Sequence, residues 1–103
     1  MSRIEQLLAF IQEDPADTFS IYALAHEYLK SDRSKAWALF EQLLRDYPSY
    51  DATYYHAAKF QQEEGNIDLA EKIYRDGIAL TSQNGNTKAH RELKSALEEM
   101  LFE

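Results

Sequence analysis

The chain has no cysteine, three glycines, two prolines and one tryptophan in 103 residues. Without thiols there is neither a disulfide framework nor a thiolate metal site, which fits a reducing compartment and makes the cytoplasm the expected location. Three scattered glycines cannot build a Gly-rich phosphate loop. No apolar run approaches membrane-spanning length. The opening stretch to Pro15 is interrupted by Glu5, Gln6 and Gln12 and has no small-residue cleavage site, so it does not read as a signal peptide. Cations are scarce as well: 11 Lys and Arg against 18 Asp and Glu leave a net charge of −7. Nucleic-acid binding rests on clustered cations that neutralise phosphates, so no nucleic-acid partner is expected. The acidity describes a solvated exterior.

What is present is ordinary for a folded soluble chain, with 45% hydrophobic and 28% charged residues. The length predicts one domain over residues 1–103, folding as one cooperative unit with a modest margin of stability. Helical periodicity runs throughout. Ile4, Leu7, Leu8 and Ile11 form the stripe of a helix from about Ser2 to Glu13, capped by Ser2 and stopped by Pro15. A second helix, about Asp17 to Lys30, carries Ile21, Leu24, Ala25 and Tyr28 on one face. After the turn at residues 31–34 comes a third with Ala36, Trp37, Phe40, Leu43 and Leu44, closed by Pro48. Asp51 starts a fourth helix that carries Tyr54, Ala57, Ala58 and Phe60 and ends at Gly65. The fifth runs from after Asn66, through Ala70, Tyr74 and Gly77, to a turn predicted over residues 82–86, and a sixth spans Thr87 to about Leu101. Trp37, next to Ala36, is expected in the core.

The pattern repeats. Ala36, Phe40 and Leu43 return 34 residues later as Ala70, Tyr74 and Gly77. In the preceding helices the offset is 33, with Ile21, Tyr22 and Ala25 returning as Tyr54, Tyr55 and Ala58, as a one-residue-longer second loop requires. A period of this size marks helical-repeat architecture. Short connections make the helices antiparallel neighbours, and the alanines mark their closest approach.

This spacing is similar to the tetratricopeptide repeat, a helix-turn-helix unit with a large residue, Leu, a small residue and an aromatic on its first helix. Its second helix carries Ala, an aromatic, Ala and a closing Pro. In one repeat, residues 16–48, Ile21, Leu24, Ala25, Tyr28, Ala36, Phe40, Leu43 and Pro48 match these positions. In the next, residues 49–82, the matches are Tyr54, Ala57, Ala58, Gly65, Ala70, Tyr74, Gly77 and Leu80, with departures at Gln61 for the aromatic and Ser82 for the proline. Residues 2–15 resemble a second helix without its first, since Ile4, Leu7, Phe10, Ile11 and Pro15 fall 33 residues before Trp37, Phe40, Leu43, Leu44 and Pro48. Residues 87–101 resemble a capping first helix, with Leu93, Ala96, Leu97 and Met100 on one side and Glu92, Ser95, Glu98 and Glu99 on the other. The resemblance implies an all-α fold of about six helices, with antiparallel pairs stacked as a short right-handed solenoid.

No residue pattern supports catalysis or a cofactor. Ser20, Ser31, Ser34, Ser49, Ser82 and Ser95 stand outside any nucleophile elbow, and Glu63-Glu64 and Glu98-Glu99 are adjacent on helices, so each pair points two ways. His26, His56 and His90 lack i, i+4 spacing, and His26 and His56 hold different places in their repeats, so a zinc site is not expected.

The resemblance implies instead a protein-interaction module whose first helices line a concave groove. The positions next to the packing residues are then its lining: Tyr22 and His26; Tyr55, His56 and Lys59; Arg91 and Lys94. Tyrosine area and cations in an acidic protein suit an acidic or C-terminal peptide, or a partner helix. The same groups are equally a polar lining of a groove that is empty or covered by another subunit. The dicarboxylate clamp of chaperone-tail readers is not implied. Its inner lysine and asparagine would fall at Tyr22 and His26, its second asparagine at His56 and its last basic pair at Arg91 and Ser95, which leaves Arg91 alone. The alternative function is a self-associating structural oligomer that covers apolar side chains such as Phe19, Tyr47, Tyr50, Leu101 and Phe102. A ligand held by the folded state alone must stabilise it. Stoichiometric zinc is therefore predicted to leave the melting temperature unchanged, and a stabilisation abolished by His26→Ala would show a site.

Overall fold

A computed structural model describes residues 1–102. Among them are six helices and no strand: α1 (Arg3–Glu13), α2 (Thr18–Tyr28), α3 (Arg33–Asp46), α4 (Ala52–Glu63), α5 (Ile67–Asn84) and α6 (Thr87–Leu101). The chain divides into two compact units, Met1–Tyr50 and Asp51–Glu103.

In the first unit α2 packs against both α1 and α3. Local chemistry sets each helix start. The Ser2 hydroxyl accepts from Glu5 N–H (3.1 Å) while the Glu5 carboxylate accepts from Ser2 N–H (3.2 Å), a reciprocal capping box. Asp17 and Asp32 accept from Ser20 N–H (3.0 Å) and Lys35 N–H (3.2 Å) at the starts of α2 and α3. The core is Leu7, Ile21, Leu24, Ala25, Ala36, Phe40 and Leu43, as the repeat register predicts for all but α1. There the expected stripe narrows to Leu7. Leu8 and Phe10 are 46% and 48% exposed, and Ile4 and Ile11 are half-buried. Leu43, which Phe10 matches, is by contrast wholly buried where α3 packs on α2. Trp37 is half-buried at the edge of the α3 stripe, not in the core as expected, because one residue past Ala36 rotates it about 100° away from the packed side.

In the second unit α5 lies between α4 and α6, and α4 also touches α6. Asn84 at the end of α5 reaches back to Asp51 before α4, so these two helices run antiparallel. They approach closely at Gly77, where α6 also comes in: a Cβ there would lie 2.7 Å from Tyr54 Cβ and 3.1 Å from Leu93 Cδ1. The Leu43 of one repeat thus becomes Gly77 in the next, where Ile21 becomes the larger Tyr54. Size at one position is exchanged for size at the other.

The turn expected over residues 82–86 is shorter than predicted, because α5 continues through Asn84. With Ser82 where the family pattern has proline, nothing removes a donor or blocks the last turn. The helix stops at Gly85, whose φ of 76° suits a residue without a side chain. By contrast α3, followed by Pro48, closes at Asp46.

Ala36 and Ala70 are fully buried, whereas Ala16 is exposed. Replacing either buried alanine by Leu is predicted to cost about 1 to 3 kcal/mol by overpacking, and Ala16→Leu much less. Gly77→Ala should also destabilise, since a helix-propensity gain of about 1 kcal/mol is outweighed by the clash with Tyr54. Thermal melts that rank Ala16→Leu as the worst, or Gly77→Ala as stabilising, would contradict this packing.

Candidate binding face on the first helices of the repeats

The predicted lining residues lie on α2, α4 and α6, and each helix presents them differently. On α2, Tyr22 and His26 are half-buried and meet edge to face, with ring centroids 4.7 Å apart. Tyr22 also meets Tyr50 at 5.9 Å, and His26 meets Phe40 at 6.1 Å. This aromatic cluster ties the face of α2 to the core of its unit, so Tyr50, expected to be leftover apolar surface, is partly spent on Tyr22. Phe19 stands one turn before Tyr22 and is 59% exposed. It extends the face in a place that sequence reading assigned to leftover apolar surface. The signal was available, since Phe19 precedes Tyr22 by the same three residues that separate Arg91 from Lys94.

On α4, Tyr55 and His56 are half-buried with ring centroids 5.2 Å apart, and Lys59 follows one turn after Tyr55. Arg91 and Lys94 on α6 are exposed, and Glu98 stands one turn beyond Lys94. Since α4 and α6 touch, the second unit gathers Tyr55, His56, Lys59, Arg91 and Lys94 onto two neighbouring helices. Tyr22 and His26 belong to the first unit.

His90 is not part of this set. Its Nδ1 lies 3.2 Å from the Ile78 carbonyl and 3.2 Å from Thr81 Oγ1, whose hydroxyl donates to the Gly77 carbonyl at 2.8 Å. A carbonyl can only accept, so Nδ1 carries the proton and His90 clamps α6 to α5. Near the α4 end of the face, Tyr74 is buried and donates from its hydroxyl to Gln62 Oε1 (3.0 Å). Burial, helped by Tyr55, Glu63 and Glu99, pushes its phenol up to about 12, so it stays a neutral donor. No group of three or more His, Asp or Glu able to hold a metal occurs among the described residues. No described helix is long and apolar enough to cross a membrane.

Burial holds the His26 imidazole below its ordinary 6.5, with Lys30 adding to the effect and Glu27 opposing it. A lowered folded pKa means that the fold favours the neutral ring; its contribution is present above 6.5 and lost as pH falls through the folded value. Acidification below 6.5 is therefore predicted to weaken the parent protein more than His26→Phe, which keeps an aromatic ring in the cluster without the charge. Denaturant midpoints measured against pH check this, and parallel curves would refute it.

No protein-family model and no curated protein matches the chain. Solved structures do, among them two of a tetratricopeptide repeat domain protein from Salinibacter ruber. A solution NMR structure is 41% identical over 84% of this chain and 89% of that one, with a TM-score of 0.80. A crystal structure is 40% identical over 82% and 94%, with a TM-score of 0.77. Identity at this level across most of both chains, on the same helical repeats, shows common descent as well as common shape. The chain belongs to the tetratricopeptide repeat family.

Proposed function

We propose that the protein is an interaction module that binds an acidic peptide or a partner helix on the inner faces of its first helices, without cofactor or catalytic step, in the cytoplasm. The family supports a protein partner in general. The observation that carries the finer reading is the gathering of Tyr55, His56, Lys59, Arg91 and Lys94 on α4 and α6 in a chain of net charge −7. Tyr55 supplies broad apolar area with a polar tip, and the cations Lys59, Arg91 and Lys94, each positioned to meet a ligand carboxylate although Glu63 and Glu98 stand one turn beyond the two lysines, favour a ligand of opposite sign. Tyr22 and His26, with Phe19, offer the first unit's counterpart, which is aromatic and uncharged near neutrality.

The rival, a self-associating structural oligomer, is favoured by a different observation. Leu8 and Phe10 on α1, together with Leu101 and Phe102 at the end of α6, leave apolar area in water.

Acidic, neutral and basic peptide pools titrated against the labelled protein separate the two. Acidic peptides should bind best, and more weakly as salt rises. Tyr55→Ala and the pair Lys59→Glu with Lys94→Glu should each weaken binding about tenfold or more while leaving the helical spectrum unchanged. Lys72→Glu is the control: Lys72 lies exposed on α5, paired with Asp76 at 2.7 Å, and is not one of the predicted lining residues. Equal loss in the control, or no binding together with a dimer mass by light scattering that Phe10→Glu abolishes, replaces the peptide reading with the oligomer.

A further inference from the structure

The connection between α5 and α6 is held by a polar latch outside the binding face. Asn84 Nδ2 donates to Asp51 Oδ2 at 2.9 Å, and the same oxygen accepts from Asn86 Nδ2 at 3.0 Å. Asn84 Oδ1 in turn accepts from Asn86 N–H at 2.9 Å. Asp51, which precedes α4, makes no side-chain cap bond to its own helix, so its carboxylate is committed to these amides. Asn86 meanwhile caps α6 by accepting from Ala89 N–H at 3.2 Å.

The peptide bond after Asn84 is open where those of the other asparagines are screened. Gly85 has a φ of 76°, and nothing lies within 4 Å of where its Cβ would be. The C-cap N–H groups of α1, α2, α3, α4 and α6 each donate to a carbonyl of their own helix, whereas that of Gly85 has no acceptor among the described residues. Asn84, Gly85 and Asn86 are all exposed. The chain has two further asparagines, and each precedes a β-branched residue that crowds its backbone nitrogen: Asn66 precedes Ile67 and Asn86 precedes Thr87.

We propose that Asn84 is a self-modification site, where attack by the Gly85 nitrogen converts the amide to a carboxylate and turns the Asp51 latch into a repulsive pair. The Gly85 nitrogen gives up its proton and bonds to Asn84 Cγ. The Cγ–Nδ2 bond breaks and Nδ2 leaves as ammonia, carrying that proton. The cyclic imide that remains is opened by water, at Cγ to give aspartate in place of Asn84 or at the backbone carbonyl carbon to give isoaspartate. One water is consumed and one ammonia released, with no oxidant or reductant. Ring closure requires the Asn84 ψ to leave its helical value, so the last turn of α5 must fray. The bond to Asp51 opposes that motion and sets the pace. After the change, a carboxylate stands where a donor faced Asp51 Oδ2, and two like charges at hydrogen-bond distance push the end of α5 away from the start of α4.

The test is to hold the purified protein at physiological temperature and mildly alkaline pH and to map deamidation by peptide mass spectrometry. Conversion is expected to concentrate at Asn84, with Asn66 and Asn86 lagging, and Asp51→Ala should speed it severalfold. Asn84→Asp should lower the melting temperature, and adding Asp51→Asn, which restores one donor and one carboxylate to the pair, should recover most of the loss. Conversion no faster at Asn84 than at Asn66 overturns the site. An unchanged rate in Asp51→Ala overturns the latch as its gate, and an Asn84→Asp protein as stable as the parent overturns the repulsive consequence.

Discussion

The second unit depends on the absence of a side chain at Gly77. Tyr54 Cβ and Leu93 Cδ1 stand 2.7 Å and 3.1 Å from where an alanine Cβ would be, so α4 and α6 converge on a single turn of α5. Packed interiors have no spare volume, and a methyl group there would separate three helices at once. Other contacts of the unit follow from this approach. His90 is close enough to reach the Ile78 carbonyl, and the Thr81 hydroxyl turns back onto the Gly77 carbonyl, leaving its oxygen free to accept from the imidazole. The first unit, with Leu43 at the matching position, solves the same problem by a different division of volume.

Loops in this protein are held by side chains taken from the places where helix caps would be expected. Asp51 and Asn66 precede α4 and α5, yet neither makes a side-chain cap bond. Asp51 holds Asn84 and Asn86 instead, and Asn66 Nδ2 donates to Gln61 Oε1 at 2.7 Å. This accounts for Gln61, the departure from the family's aromatic position. In the first repeat Tyr28 holds that position and its ring takes Lys35 Nζ at 5.4 Å. In the second, the longer loop brings an amide within reach, and a buried glutamine satisfies it. An unpaired buried polar group would be costly, so Gln61 and Asn66 form a matched pair.

The faces on α2 and on α4 with α6 differ in what they offer. Tyr22 and His26 are drawn into an aromatic cluster with Phe40 and Tyr50, which makes that face stiff and largely uncharged. Lys59, Arg91 and Lys94 put cations on the other face, with Glu63 and Glu98 one turn beyond the lysines. In the proposed reading the aromatic surface supplies contact area at low entropic cost, and the charged one steers and selects by sign.

The amino-acid sequence by itself determined the helices, their repeat and the family. Periodicity and spacing are local, and Ser2, Asp17, Asp32, Pro48 and Gly85 act within a few residues of the boundaries they set. It also determined which alanines are buried, because a small residue recurring at one repeat register has one packing role. Tertiary structure alone decided the rest. Leu8 and Phe10 read as core from their pattern, but exposure depends on whether a neighbouring helix covers them. The end of α5 read as a turn from its polar residues, but without proline the helix runs on to a glycine. His90 had no role legible in the sequence, and became a clamp because Gly77 lets α6 come near. Asp51 and Asn84 lie 33 residues apart, and only the reversal of the chain between α4 and α5 makes them partners. Contacts between distant residues depend on how the helices pack, and no short-range pattern encodes that distance.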